Sequence, residues 1–306
     1  VRQDIGERLH KERAFDVVGY GEASIDDVWL LRSSLVWGGK VRAGVHERLG
    51  GGQIATALVA CARLGLRTAF RGRVGDDADG REVLEGLDAE AVDVSQAIVA
   101  KGATRHALVL VDRDGERAVV ERSAGHPPHA PAETPLADAR VLHLDATEPA
   151  YAAQLVKMAR AAETVVSLDL DHPAPGLDEI LPLVDICITS RGVPEQLTGE
   201  GDLERGLRKL AELTGGLVGC TLGSDGAALL DEGHLLLSPA FPVGNVIDTT
   251  ACGDTFRAAL LCALVEGQAV AQALRFANAA AALKTRNLGR RGCPRRAEVN
   301  ALLASA

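Results

Sequence analysis

Short β-branched runs alternate with Ala- and Leu-rich stretches along most of the chain. The runs Phe15–Val18, Ala107–Val111, Val141–Leu144, Val165–Leu168, Ile186–Thr189 and Leu217–Thr221 predict strands. Apolar positions at helical spacing predict helices over Ile54–Leu64, Ala150–Ala162, Leu203–Leu213, Thr255–Glu266 and Val270–Thr285. Strands alternating with helices of this length imply βαβ units, hence an α/β fold with a doubly wound, mostly parallel sheet flanked by helices. Such a sheet binds its ligand beyond the carboxyl ends of the strands, so residues just after each strand are the first candidates for chemistry.

Two stretches break the alternation. Residues 25–48 and 98–122 hold strand-like runs without crossover helices, and Asp112-Arg113-Asp114-Gly115 has the chemistry of a hairpin turn. Both are expected to form a small antiparallel β lid inserted into an α/β core made of 15–24, 49–97 and 123–306. Residues 1–14 are expected as a charged tail; they lack the apolar stretch of a secretory signal.

Composition narrows the function classes. With 306 residues and 47% hydrophobic content, the chain can bury a sizeable core. A net charge of −9 and an aromatic content of 3% argue against nucleic-acid binding, which needs a basic face and stacking platforms. The longest apolar run, Ala258 to Val265, is far short of the roughly 18–20 residues of a membrane span. Six cysteines without a C-x-x-C pair read as reduced thiols, which points to a cytoplasmic protein.

The strongest chemical signal is Val246-Ile247-Asp248-Thr249-Thr250-Ala251-Cys252-Gly253-Asp254-Thr255-Phe256. A short apolar strand is expected to end there, followed by small residues and then a helix with apolar positions at Phe256, Ala259, Leu260 and Ala263. Small side chains at a helix N-terminus leave backbone N–H groups open at the positive end of the helix dipole, which makes an anion site. Asp254 beside bound phosphate either caps the helix or has a task. Other signals are weaker. Gly19-Tyr20-Gly21-Glu22-Ala23-Ser24 half-resembles a dinucleotide fingerprint, but no helix follows, so a close-packed turn is expected. The P-loop pattern G-x-x-x-x-G-K-[ST] does not occur, and His126-Pro127-Pro128-His129 reads as a surface loop rather than a metal site.

DTTACGD resembles the carboxyl-terminal signature D-T-x-G-A-G-D of the PfkB (ribokinase-like) carbohydrate kinases, with Ala251 and Cys252 as the departures. Three further motifs resemble that family in order and spacing. Gly51-Gly52-Gln53-Ile54-Ala55-Thr56 followed by Arg63-Leu64-Gly65 is similar to G-G-x-x-x-N…R-L-G, with Thr56 in place of Asn. Gly72-Arg73-Val74-Gly75-Asp76-Asp77 followed by Gly80 is similar to G-x-V-G-x-D-x-x-G, and Thr221-Leu222-Gly223-Ser224-Asp225-Gly226 to the nucleotide loop T-L-G-x-x-G.

The resemblance implies an ATP-dependent sugar kinase. Asp254 would be the base that takes the proton of the attacking hydroxyl, and Ala251, Cys252 and Gly253 would supply the anion hole. Asp26, Gly51, Gly52, Thr56 and Asp145 would line the sugar site, although strand-end turns remain open for Asp26 and Asp145. Thr221, Gly223, Ser224, Gly226 and Asn278 would meet the nucleotide. A monovalent cation, potassium, is implied beside Asp248 and the Thr250 carbonyl, and a homodimer through the lid. Ser190-Arg191-Gly192-Val193 stands where the family has N-x-x-E and, with Phe241-Pro242, is closer to its ketohexokinase branch. That leaves a ketose such as fructose beside ribose and 2-keto acids. With that carboxylate missing, the alternation of Ser167-Leu168-Asp169-Leu170-Asp171 puts Asp169 and Asp171 on one face as candidate Mg²⁺ ligands. A nucleoside or vitamin kinase of the same fold, and an inactive sugar- or nucleotide-binding protein, are the alternatives.

Overall fold

The structure is a computed structural model that describes every residue except 1, 2, 114, 123, 127–135 and 306. The expected turn residue Asp114 and most of the His126–His129 loop lie outside the described residues.

In chain order, helix α1 (Gln3–Leu9) precedes strands β1 (Phe15–Tyr20), β2 (Ser24–Leu31) and β3 (Ala43–Gly51). Helix α2 (Gln53–Arg63) leads to β4 (Thr68–Phe70), β5 (Arg73–Gly75), α3 (Ala78–Asp88) and β6 (Val92–Asp93). Then come β7 (Ile98–Ala100), β8 (Arg105–Val111), β9 (Arg117–Arg122) and β10 (Ala139–Asp145). The next stretch holds α4 (Pro149–Ala161), β11 (Val165–Leu170), α5 (Leu177–Ile180), β12 (Ile186–Ser190), α6 (Val193–Thr198) and α7 (Leu203–Thr214). The last holds β13 (Leu217–Thr221), β14 (Ala227–Asp231), β15 (His234–Ser238), α8 (Cys252–Val265), α9 (Val270–Lys284) and α10 (Arg296–Ala304).

Nine strands form the main sheet in the order β15-β14-β13-β12-β11-β10-β1-β4-β6. Pairing is parallel from β13 through to β6 and antiparallel only at β13–β14–β15. The central strands are buried on both faces, and period-2 alternation divides their residues between two helical layers. Val17, Val141, Val165 and Ile186 join the core of α2, α8 and α9. Leu142, Leu144, Val166 and Leu168 join that of α4 and α7. Strand order reverses between β1 and β10, so the crevice at their carboxyl ends is where a ligand is expected.

A second sheet, β3-β2-β8-β9, is made of two antiparallel hairpins joined through the parallel pair β2–β8. Its inner face buries Val28, Leu49, Ala107, Val109 and Val111, while Trp29, Val45, Val119 and Val120 are exposed. Strand β7 pairs with β5 instead, so within 98–122 the lid strands begin at Arg105.

Two expectations are corrected. Residues 1–14 are not simply a charged tail, because α1 docks on the core with Ile5 and Leu9 fully buried. Arg8 on the same helix pairs with the buried Asp185 at 2.5 Å, which Arg160 also reaches at 2.7 Å. Nor does a strand precede the DTTACGD signature. Residues 239–250 are irregular, and the end of α9 holds them near the signature, where Thr285 O accepts the N–H groups of Ile247 (2.8 Å) and Asp248 (3.2 Å).

Candidate active site

The register of the parallel strands lines up the site. Asp145 sits beside Asp169, Leu170 beside Thr189, and Ser190 beside Thr221, all at the carboxyl edge. Helix α8 starts at that edge. Its N-cap, Ala251, adopts a left-handed backbone (φ 67°), which costs an alanine about 1 kcal/mol relative to glycine. The turn starts a 14-residue helix at this edge, with the Cys252 N–H donating to Thr249 O at 3.3 Å, and Gly253 and Asp254 follow directly.

Asp254 is 14% exposed. Burial, with the nearby charge of Asp171, pushes its carboxyl up to about 7, against the pull of Arg257, Arg117 and Lys284. Arg257, one turn further along α8, is fully buried. Its Nε lies 2.9 Å from the Asp169 carboxylate and donates to Ile188 O, while Nη2 pairs with Asp171 at 2.6 Å. Nη1 points back to within 3.9 Å of Asp254, and a Cβ on Gly253 would fall 2.6 Å from it. Gly253 is therefore confined to glycine unless this side chain moves.

Asp169 and Asp171 do share the ligand edge, but the Mg²⁺ reading of the pair is corrected by Arg257. Asp169 has no exposed side-chain surface, and burial raises its pKa well above the usual carboxylate range. Burial acts on Asp171 too, but Arg257 and the hydroxyl of Ser190 outweigh it and hold that group low. Gln53 Nε2 donates to its other oxygen at 2.7 Å. Among the described residues, no group of three or more His, Cys, Asp or Glu could hold a metal ion.

The expected monovalent-cation position is also taken by protein. The Asp248 carboxylate accepts the N–H groups of Thr250 and Gly289, both at 2.7 Å, and the ammonium of Lys284 at 3.3 Å. Lys284 donates to Asp248 O as well, at 2.9 Å.

On the lid side, Asp26 of β2 accepts a hydrogen bond from Ser24 Oγ at 2.7 Å, and burial raises its pKa to about 6. A Cβ on Gly51 would lie 1.9 Å from its carboxylate, so only glycine lets β3 pass there. Gly52 (φ 87°) turns the chain into α2, and Thr56 is buried in that helix's first turn. Arg290 lies against Gly50, where a Cβ would meet its Nη2 at 2.0 Å, and its charge acts on Asp26. Asp145 pins the turn after β1, accepting the N–H groups of Glu22 (2.7 Å) and Thr147 (3.1 Å). It borders a cavity lined also by Tyr20, Gly21, Arg105 and Thr147. Burial, with Asp145 beside it, pushes Glu22 up to about 8, although Arg105 pairs with it at 2.8 Å.

Beyond β13, Gly223, Ser224 and Asp225 form a short 3₁₀ turn closed by Gly226, and Thr221 ends the strand. Arg191 bonds Leu222 O and Asp225 and so ties this turn to the end of β12. Asn278 is buried on α9, where its amide donates to Ser238 O at 2.8 Å and braces the end of β15. The lid reaches the signature loop, with Gly115 O accepting from Thr249 Oγ1 at 2.9 Å and Arg117 lying 3.5 Å from the same hydroxyl.

Sequence reasoning missed Arg257, Lys284, Arg290 and Arg117. For Arg257 a signal existed, since it is the lone cation in CGDTFRAALLCALV, a helix otherwise apolar beyond its first turn.

The pfkB family carbohydrate kinase profile matches residues 15–296. A ribokinase of Arabidopsis thaliana is 30% identical over 265 residues, covering 80% of this chain and 69% of the relative. The structure of the Arabidopsis thaliana ribokinase complexed with ribose and ATP superposes with a TM-score of 0.81 at 29% identity, covering 95% and 99% of the two chains. The ribokinase of Thermotoga maritima gives 0.78 at 26% identity, covering 94% and 99%. Motif order, sheet order and family match thus agree over nearly the whole length, and the chain belongs to the pfkB family of carbohydrate kinases.

Proposed function

We propose that this ATP-dependent kinase phosphorylates a sugar hydroxyl with Asp254 as the general base and the N–H groups of Ala251, Cys252 and Gly253 as the anion hole. The observation that carries this reading is the position of Asp254. It is a partly exposed carboxylate in the first turn of α8, poised near neutrality beside a loop of small residues. The carboxylate takes the hydroxyl proton as that oxygen bonds to the γ-phosphorus, and the β–γ bridging oxygen leaves with ADP. The helix N-terminus stabilises the charge on the transferring group. Asp26, Gly51, Gly52, Thr56 and Asp145 form the acceptor side at the root of the lid. Thr221, Gly223, Ser224 and Gly226 form the nucleotide side, with Asn278 supporting it from beneath. Mg²⁺ bound with ATP would supply charge neutralisation at the phosphates.

Ribose, bound in the Arabidopsis relative, heads the panel that tests this reading. ADP release is measured with pentoses, ketohexoses, aldohexoses and nucleosides as acceptors. A sugar is expected to give the highest kcat/KM; turnover confined to nucleosides, or absent throughout, overturns the reading.

Two further outcomes are expected. Asp254 must be deprotonated to act, so turnover at saturating substrates rises through about pH 7 and levels off above it. A profile flat across that point removes Asp254 as the titrating base. The lid leaves Trp29 and Val120 uncovered on its outer face and Val45 and Val119 uncovered on the opposite one, on a four-stranded sheet with open edges, which favours pairing with a second copy. Light scattering is expected to give twice the chain mass at micromolar concentration; the mass of one chain contradicts a lid-mediated homodimer.

A further inference from the structure

The resemblance implied a free monovalent cation beside Asp248 and Thr250, and the residues present do not fit one. Lys284, the last residue of α9, projects its ammonium onto three oxygens: Asp248 O at 2.9 Å, Asn287 O at 3.2 Å and Asp248 Oδ2 at 3.3 Å. An ammonium has three hydrogens, so this set uses them all. Both side chains of the pair have no exposed surface. A diffusing ion would have to displace a tethered cation whose bonds are complete and whose removal would strand a buried carboxylate.

We infer that Lys284 is a built-in monovalent cation that makes the signature loop independent of potassium. Its charge neutralises Asp248, and Asp248 in turn holds both sides of the site. One oxygen accepts the Thr250 N–H at the entrance to the anion loop, and the other accepts the Gly289 N–H beside Arg290. The same end of α9 grips the loop a second time, through Thr285 O and the N–H groups of Ile247 and Asp248. Lys284 touches no reacting atom in this account; it is a positioning residue for Thr250, Ala251 and the helix start that follows. The inference rests on reading residues 248–254 as the anion loop, but its thermal test needs no substrate.

The test compares choline chloride with potassium, sodium and ammonium chlorides at equal ionic strength. For the unaltered protein, both the rate of ADP release and the unfolding midpoint should stay level across all four salts. A severalfold activation by potassium, or a potassium-specific rise of the midpoint, overturns the inference. Lys284→Ala removes the ammonium and leaves room for an ion. Its turnover in choline is expected to fall about 10–100-fold, the usual cost of losing a group that orients a site from behind. Potassium or ammonium should then restore part of the rate and raise the midpoint of this variant alone. Full activity of the variant in choline overturns the inference, as does a folded, inactive variant that responds to none of the ions. Should Lys284→Ala fail to fold, the two titrations of the unaltered protein still decide. Absence of ADP release with every acceptor overturns the kinase reading instead, and leaves the midpoint measurement to judge Lys284.

Discussion

Asp254→Asn is expected to lower turnover by about 10²–10⁴-fold, the usual worth of a general base, while the affinity for ATP stays near that of the unaltered protein. Asparagine keeps the size of the side chain and loses only its ability to take a proton. The fold should tolerate it, because burial already favours the neutral form of this carboxyl, with a pKa pushed up to about 7. The acid limb of the pH profile should vanish along with the rate. Residual turnover would come from the proposed anion hole and from substrate positioning, which the substitution leaves in place. Steady-state kinetics with the best acceptor, together with calorimetric ATP binding, separate the two effects. Turnover within tenfold of the unaltered enzyme, measured at the same pH, would remove Asp254 from its role.

The scaffold and the small-residue loop of the candidate site are legible in the sequence, for a physical reason. Strands such as Val165–Leu168 are buried on both faces and so become continuous apolar runs, and helices such as α7 carry a one-sided apolar face that periodicity detects. Ala251, Cys252 and Gly253 were readable because a tight loop at a helix start excludes large side chains whatever the surrounding sequence. The electrostatic half of the site was not readable, since it is assembled across the chain. Arg257 meets Asp169 and Asp171 only when α8 is laid against the ends of β11 and β12, 86 residues from Asp171 in sequence. Lys284 is a helix-terminal lysine, a type usually solvated, until the loop of Asp248 folds over it. Alternation alone places Asp169 and Asp171 on one face and suggests metal ligands, whereas their counter-charge, Arg257, lies in a helix whose sequence reads as core. The N-terminal correction has a different origin. Ile5 and Leu9 are spaced i, i+4 in QDIGERL, an apolar stripe too short to stand out from its charged neighbours.

Arg257→Met is expected to lower the stability of the protein by about 3–5 kcal/mol, the cost of removing one partner from a buried ionic network. Methionine fills much of the volume, so the loss is electrostatic. Neither carboxylate oxygen of Asp169 has a hydrogen-bond partner, and it is balanced by the guanidinium 2.9 Å away. Asp171 is less exposed to the change, because Gln53 and Ser190 still reach it. The sign of the pH dependence follows from Asp169. Its folded pKa is already raised by burial, and losing Arg257 raises it further. A carboxyl whose folded pKa lies above its unfolded value is most stabilising when protonated, and that stability is lost as pH climbs toward the folded pKa. The deficit of Arg257→Met should therefore be smallest where Asp169 is protonated in both proteins and grow as pH climbs past its raised folded pKa, measured by urea unfolding at several pH values. Adding Asp169→Asn removes the charge that Asp169 would carry above its raised pKa, so the double variant should recover much of the loss there and show little of this pH dependence. A single-variant loss below about 1 kcal/mol, or a double variant no more stable than the single one, would mean that Asp169 is not what Arg257 is there to balance.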